Sequence, residues 1–261
     1  ENDLSIELIK KESCSQLLIE DEGNNIGMIH IPETIKIKTR ESKIVILTAT
    51  LEDRLSISLK SYVIDMAKQC GANAVKMQTY TPDTITMDIK SNEFKIDGGL
   101  WDGRYLYDLY DEAHTPWSWH KPLFIHAKKI GITIFSSPFD NTAVDLLEDL
   151  NAPAYKIASC EAIDLPLINY VAQTGKPMII STGMADEDEI NEAIYTAQNG
   201  GCKELAILHC VSGYPAPAGD YNLKTLVDMQ KKFGLVTGLS DHTIDNTTAI
   251  ASIALGGAII E

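Results

Sequence analysis

The chain has 261 residues, the size of one barrel-sized domain or of two small ones. Its 22 basic and 37 acidic residues give a formal net charge of −15, which repels nucleic-acid phosphates and anionic membranes. A small molecule is therefore the expected partner. Five cysteines without any CxxC spacing argue against a disulfide framework. Because the amino terminus also shows no basic-then-apolar leader pattern, we expect a cytoplasmic protein.

Short apolar runs alternate with helical patterns from residue 44 onward, whereas residues 1–43 mix charge with two apolar runs and predict an N-terminal extension with a small hairpin. The predicted strands are Ile44–Ala49, Ala74–Met77, Thr133–Phe135, Ala154–Ile157, Pro177–Ile180, Leu205–Leu208, Leu235–Gly238 and Ala258–Ile260. Helical patterns lie near 56–70, 119–130, 141–149, 164–174, 186–199, 221–233 and 244–255. The alternation predicts an α/β fold, a (β/α)₈ TIM barrel over 44–261, with a doubly wound sheet as the alternative.

Acidic residues mark three predicted helix starts, namely Asp140, Asp164 and the run beginning at Asp186. The longest connection, roughly 79–117, is rich in tryptophan and tyrosine and follows the carboxyl end of a strand. Barrels build their sites there, so this segment is either a lid or an aromatic cluster packed on the barrel.

Lysines stand near the ends of two predicted strands. Lys76 and Gln78 alternate around Met77, which puts both on one face, and Lys156 stands near the end of a later strand. An inward lysine is costly unless it is paired, so the pattern indicates an anionic ligand such as phosphate or carboxylate. The alternative is an ion pair with a strand-end acid such as Glu161. Ser137 and Ser159 stand at strand ends and could add hydroxyl donors.

Two histidines follow consecutive strands. His209 comes directly after Leu205–Leu208, and His242 lies in the segment Gly-Leu-Ser-Asp-His-Thr that starts at Gly238. Imidazoles at neighbouring strand ends are expected to point into the same mouth and to bind a divalent metal, with Mn²⁺, Mg²⁺, Co²⁺ and Zn²⁺ all compatible. A pair of hydrogen-bonded core histidines is the alternative. No glycine-rich phosphate loop supports a nucleotide cofactor.

Six motifs occur in order along residues 60–261 and together resemble the sialic acid synthase family. They are GANAVKMQTY from Gly71, FSSPFD from Phe135, YKIASCE from Tyr155, STGM from Ser181, LHCVSGYP from Leu208 and GLSDHT from Gly238. Two further segments, EAHTPWSW from Glu112 and YPAP from Tyr214, most resemble the pseudaminic acid branch rather than the N-acetylneuraminate branch.

The resemblance implies an enzyme of carbohydrate biosynthesis that joins phosphoenolpyruvate to an amino sugar, here a 6-deoxy diacetamido hexose, with release of phosphate. It implies a divalent metal, often Mn²⁺, on His209 and His242. Lys76, Lys156, Ser137 and Ser159 would hold phosphoenolpyruvate, and Gln78 and Glu161 would face the reacting substrates. Family members also carry a last barrel helix and an antifreeze-like domain that covers a partner's site, which implies a homodimer.

Two departures from the family pattern bear on activity. The family's glutamate at the first strand aligns with Thr48, and the family's nearby Asn-His pair is missing. The last helix and the antifreeze-like domain are not part of these 261 residues. A neutral hydroxyl cannot replace a carboxylate base, so we expect weak or impaired activity. The alternatives are a catalytically dead barrel that binds a sugar or a synthase subunit, and an aldolase that uses a lysine Schiff base.

Overall fold

The computed structural model describes residues 63–98 and 101–261, together with the backbone of two short strands nearer the amino terminus. These strands, β1 (Asn25–Ile26) and β2 (Ile29–His30), pair antiparallel. They belong to the first of two units, which divide at Thr50. The boundary predicted at residues 43/44 stays a prediction.

The second unit contains a sheet of six parallel strands that follow one another in chain order. They are β3 (Ala74–Thr79), β4 (Thr133–Pro138), β5 (Tyr155–Ile157), β6 (Met178–Ser181), β7 (Leu205–Cys210) and β8 (Val236–Ser240). The strand order runs in one direction across the sheet, whereas in a doubly wound sheet it reverses. The predicted parallel α/β class is confirmed.

Of the two remaining predicted strands, only the last one lies within the described residues. Ile260 forms a parallel bridge with Leu239, so the chain does return to the sheet beside β8 where the eighth strand was expected. The first predicted strand, Ile44–Ala49, lies outside the described residues.

Helices connect the strands, and all of them except the two in the 79–117 connection lie at the predicted places. They are α1 (Ile64–Gln69), α2 (Pro82–Ile85), α3 (Leu106–Ala113), α4 (Trp117–Ile130), α5 (Asn141–Asp149), α6 (Leu165–Ala172), α7 (Glu187–Gly200), α8 (Lys224–Phe233) and α9 (Thr247–Ala254). The side chains of Asp140, Asp164 and Asp186 each accept a hydrogen bond from a backbone N–H of the first turn, which confirms the predicted caps. No helix in the described part of the chain is long and apolar enough to cross a membrane.

Successive side chains of the strands point alternately to the helix-covered face and to the inner face of the sheet. On β5, Tyr155 and Ile157 are fully buried and pack with the apolar faces of α5 and α6, including Leu147 and Ile168. Lys156 lies between them and therefore points to the opposite side of the sheet. This alternation puts an ammonium group on the inner face of the sheet while the outer face is covered by helices.

The aromatic connection contains two helices that sequence patterning missed, α2 and α3. Tyr110 on α3 packs edge-to-face on the buried Tyr80, with ring centroids 5.9 Å apart. Trp101 is largely exposed. Part of the segment is therefore an aromatic cluster packed on the sheet, and part of it faces solvent.

Candidate functional site

Two lysines and one glutamate meet on the inner face of the sheet. Lys76 Nζ lies 2.5 Å from Glu261 Oε1, and Lys156 Nζ lies 3.6 Å from Glu261 Oε2. The Lys156 side chain is only 3% exposed. The structure thus brings the two predicted lysines together from β3 and β5. Their carboxylate partner is Glu261 rather than Glu161.

The charges of this lysine–glutamate cluster depend on one another. Burial raises the pKa of Glu261, but Lys156 and Lys76 lower it more strongly, and the result is a pKa of about 2. Burial lowers the pKa of Lys156, and the Glu261 carboxylate opposes that shift. The carboxylate is therefore ionised at neutral pH, and it stabilises the charge of a lysine that lies deep in the sheet.

One serine contacts the cluster directly, and three others lie at or near strand ends. Ser240 Oγ donates to Glu261 Oε2 at 2.5 Å. Ser159 Oγ accepts from the Gly183 N–H at 3.2 Å. The hydroxyls of Ser137 and Ser181 are buried and have no hydrogen-bond partner among the described residues. Buried hydroxyls normally have partners, so these two are suited to receive a polar ligand.

Glu161 and Gln78 differ in their surroundings. Glu161 lies in a 3₁₀ turn directly after β5, and its Oε2 is buried without a partner in the described structure. Burial raises the pKa of this carboxyl. Gln78 is exposed at the end of β3 and is in register with Ser137 on β4. A carboxyl with a raised pKa and an exposed amide are thus available near these strand ends.

The two histidines do not meet. His209 is in register with Leu239, which belongs to a core cluster with Leu226 of α8. His209 lines a cavity of about 310 Å³ together with Ile190 of α7 and Met229 of α8. His209 therefore lies on the helix side of β7. The next residue, Cys210, points to the inner face, where its Sγ lies 4.0 Å from His242 Nδ1.

The contacts of each imidazole decide what it can bind. His209 Nε2 donates to the Tyr221 carbonyl at 2.5 Å, and His242 Nδ1 donates to the Val211 carbonyl at 2.8 Å. The latter bond leaves His242 Nε2 with a free lone pair, a common arrangement for metal ligands. Within 63–98 and 101–261, however, no group of three His, Cys, Asp or Glu side chains could hold a metal. The described donors alone do not fit a metal ion, and metal binding stays a prediction.

The remaining residues of the His242 loop have structural partners. Asp241 accepts from the N–H and hydroxyl of Thr243. The ring centroids of Tyr214 and His242 lie 4.2 Å apart, and Tyr214 is itself largely exposed. Burial raises the pKa of Tyr214 to about 12, so its phenol is neutral.

Sequence reasoning missed Ser181, Ser240, Cys210 and Glu261 as members of the site. Ser181, Ser240 and Cys210 close strands β6, β8 and β7. The rule that selected Ser137, a polar residue at the carboxyl end of a strand, would have found these three. Glu261 directly follows the predicted eighth strand and satisfies the same rule.

Comparison with known proteins places this site in a family. The NeuB family profile matches residues 63–261. A profile of the tRNA 2-selenouridine synthase AAA domain matches residues 1–90 and overlaps it. The overlap contains β3, whose six residues all pair with β4. That part of the chain therefore belongs structurally to the NeuB match.

Individual relatives agree with the profile. The pseudaminic acid synthase of Helicobacter pylori is 43% identical over 215 residues, which cover 82% of this chain and 63% of that protein. The pseudaminic acid synthase of Campylobacter jejuni serotype O:2 is 42% identical, with 82% and 62% covered. The chain thus spans somewhat less than two thirds of these relatives.

A solved structure extends the likeness to the fold. The N-acetylneuraminic acid synthetase of Leptospira borgpetersenii superposes with a TM-score of 0.69 at 27% identity, over 78% of this chain and 67% of that one. Family profile, relatives and fold agree with the strand-end motifs. The chain belongs to the NeuB family, that of the sialic acid synthases.

Proposed function

We propose that the chain is the barrel part of a nonulosonate synthase of the pseudaminic type, which condenses phosphoenolpyruvate with a 6-deoxy diacetamido hexose and releases phosphate. The convergence of Lys76 and Lys156 on one partly buried carboxylate supports this proposal most directly. Two ammonium groups against one carboxylate leave a net positive charge for an anionic substrate. The 43% identity to a pseudaminic acid synthase, against 27% to an N-acetylneuraminic acid synthetase, favours this branch.

The surrounding hydroxyls suit phosphoenolpyruvate. Ser137 and Ser181 have buried hydroxyls without partners in the described structure, and the oxygens of phosphate or carboxylate would accept from them. Ser159 accepts from Gly183, so its own proton is free to be donated to the ligand. Lysines and serines together would bind both anionic ends of phosphoenolpyruvate.

The reaction forms a bond between the methylene carbon of phosphoenolpyruvate and the aldehyde carbon of the sugar. The aldehyde oxygen gains a proton, water adds at the former enol carbon, and phosphate leaves from that carbon. Glu161 would supply the proton, because its raised pKa lets it stay protonated at a higher pH than an ordinary glutamate. Gln78, exposed at the strand end, would donate its amide to the sugar.

The proposal also includes a divalent metal, which would polarise the sugar aldehyde. It rests on the family resemblance, and the contact of His242 Nδ1 with the Val211 carbonyl leaves Nε2 available. Mn²⁺ is the first choice, with Mg²⁺ and Co²⁺ as alternatives. The roles assigned to Glu161, Gln78 and the lysines are argued from their own surroundings.

Phosphate release tests the proposal. We expect release only when phosphoenolpyruvate, the 6-deoxy diacetamido hexose and Mn²⁺ are all present. Lys156→Met should abolish it. Lys176→Met is the matched control, because Lys176 also pairs with a glutamate, Glu148 at 2.6 Å, but lies on the helix side of the sheet near Tyr155.

Other outcomes would identify the alternatives. A preference for N-acetylmannosamine would indicate an N-acetylneuraminate synthase. Borohydride trapping of the chain with pyruvate would indicate a Schiff-base aldolase. Binding of substrate without any release would indicate a dead barrel, the reading that Thr48 favours.

A further inference from the structure

Tyr221 is a completely buried tyrosine that no catalytic step uses. It ends the 3₁₀ turn Ala218–Tyr221 and packs in a cluster with Leu226 and Leu239. Its hydroxyl accepts from the His242 N–H at 2.6 Å and donates to the Ser240 carbonyl at 3.3 Å. One phenol thus binds the backbone on both sides of Asp241.

His209 holds the backbone of the same tyrosine. Its Nε2 lies 2.5 Å from the Tyr221 carbonyl, and because a carbonyl can only accept, Nε2 carries the proton. The two rings lie edge-to-face with centroids 6.1 Å apart. The imidazole on the helix side of β7 is thereby connected through Tyr221 to the loop on the site side.

We infer that Tyr221 and His209 are positioning residues, which hold the Ser240–His242 loop so that Ser240 reaches Glu261 and His242 stays beside Cys210. The described contacts give the His242 N–H no other partner. Ser240 in turn donates to the carboxylate that lies between Lys76 and Lys156. A shift of the loop would therefore change the anion site directly. This inference rests on the proposed function only in assigning that site to phosphoenolpyruvate.

The hydroxyl is tested with Tyr221→Phe, which keeps the ring and removes the oxygen. Tyr155→Phe is the matched control, because Tyr155 is also fully buried but donates to Glu148 on the helix side. Both variants should lower the melting temperature. Only Tyr221→Phe should speed hydrogen exchange of the His242 amide beyond the global change. Only that variant should weaken binding of inorganic phosphate, by about tenfold, the equivalent of one hydrogen bond.

His209 is tested with a pair of variants. His209→Ala removes the donor to the Tyr221 carbonyl, and the side-chain amide of His209→Gln restores one. If His209 is a positioning residue, the glutamine variant should lie closer to the wild type than the alanine variant does. This should hold both for hydrogen exchange of the His242 amide and for phosphate affinity. A metal-ligand role predicts instead that both variants lose Mn²⁺ binding equally and leave phosphate affinity unchanged.

The outcomes separate this inference from the proposed function. If the wild-type chain releases no phosphate from its substrates, the proposed function fails, while amide exchange and binding of inorganic phosphate still test the loop. Equal exchange at His242 in the two phenylalanine variants would overturn the inference. Equal phosphate affinity in those two variants would overturn it as well.

Discussion

Glu261→Gln tests the electrostatics of the site most sharply. The substitution keeps the shape of the side chain but removes the negative charge between two lysines, one of them almost fully buried. Lys156 and Lys76 would then repel each other without a counterion. We expect the variant to be less stable than the wild type at pH 7 and to bind anions more readily.

The pKa of Glu261 sets the size of the effect. A fall from 4.5 to about 2 on folding corresponds to roughly 3 kcal/mol, since one pKa unit is about 1.4 kcal/mol. A carboxylate whose pKa is depressed in the folded state contributes this stability fully above its unfolded pKa. The contribution is lost as the pH falls through the folded pKa. The gap between wild type and Glu261→Gln should therefore be full at pH 7 and should close between pH 4.5 and about 2.

Urea unfolding from pH 7 to pH 2, with and without phosphate, measures this gap. Phosphate should stabilise Glu261→Gln more than the wild type, because the anion can take the place of the carboxylate. The control is Glu187→Gln, which breaks an exposed pair with Lys232 and should change the stability little, because solvent screens that pair. If Glu261→Gln is as stable as that control at pH 7, or if phosphate stabilises both chains equally, the reading of the cluster is wrong.

Three further predictions concern single residues. Glu161→Gln should lower kcat by about 10²- to 10⁴-fold and should remove the limb of the pH–rate profile that requires the protonated acid. The pKa of that limb in the wild type should lie above the ordinary 4.5. An unchanged profile would exclude proton transfer by Glu161. His242→Ala should abolish Mn²⁺ binding measured by calorimetry. The control is His126→Ala, which removes a histidine paired with Asp65 and should retain Mn²⁺ binding. Equal affinities in the two variants would exclude His242 as a ligand. Gly238→Ala should cost about 1–3 kcal/mol in urea unfolding, because its new methyl group would overlap the Ile259 carbonyl. Gly219→Ala meets no atom within 4 Å and should cost less. Equal losses would contradict the packing of β8.

The local elements were accessible to sequence reasoning to different degrees. Helices with a cap and an apolar stripe, such as Asn141–Asp149, were predicted with their bounds. β3 was predicted as Ala74–Met77, but it continues to Thr79, because backbone pairing with β4 extends over all six residues and does not depend on side-chain polarity. Leu106–Ala113 was missed because its aromatic and acidic residues resemble those of a loop.

The sequence by itself determined the class of the fold, the family and the strand ends at which polar side chains collect, because periodicity and motifs are local properties. It also indicated that Lys76 and Lys156 need a counter-charge, since burial of an ammonium group is costly whatever surrounds it. The sequence did not show which residue supplies that counter-charge. Glu261 is 105 residues from Lys156 and reaches it only because the chain returns to the sheet beside β8.

The tertiary structure also decided which of two neighbouring residues enters the site. A period of two shows that His209 and Cys210 face opposite sides of β7, but it does not show which side is inner. Packing settles this point: Leu239, in register with His209, is buried against the helix side, and Cys210 approaches His242. The phase of a strand depends on the layer that covers it, and that layer is assembled from distant parts of the chain.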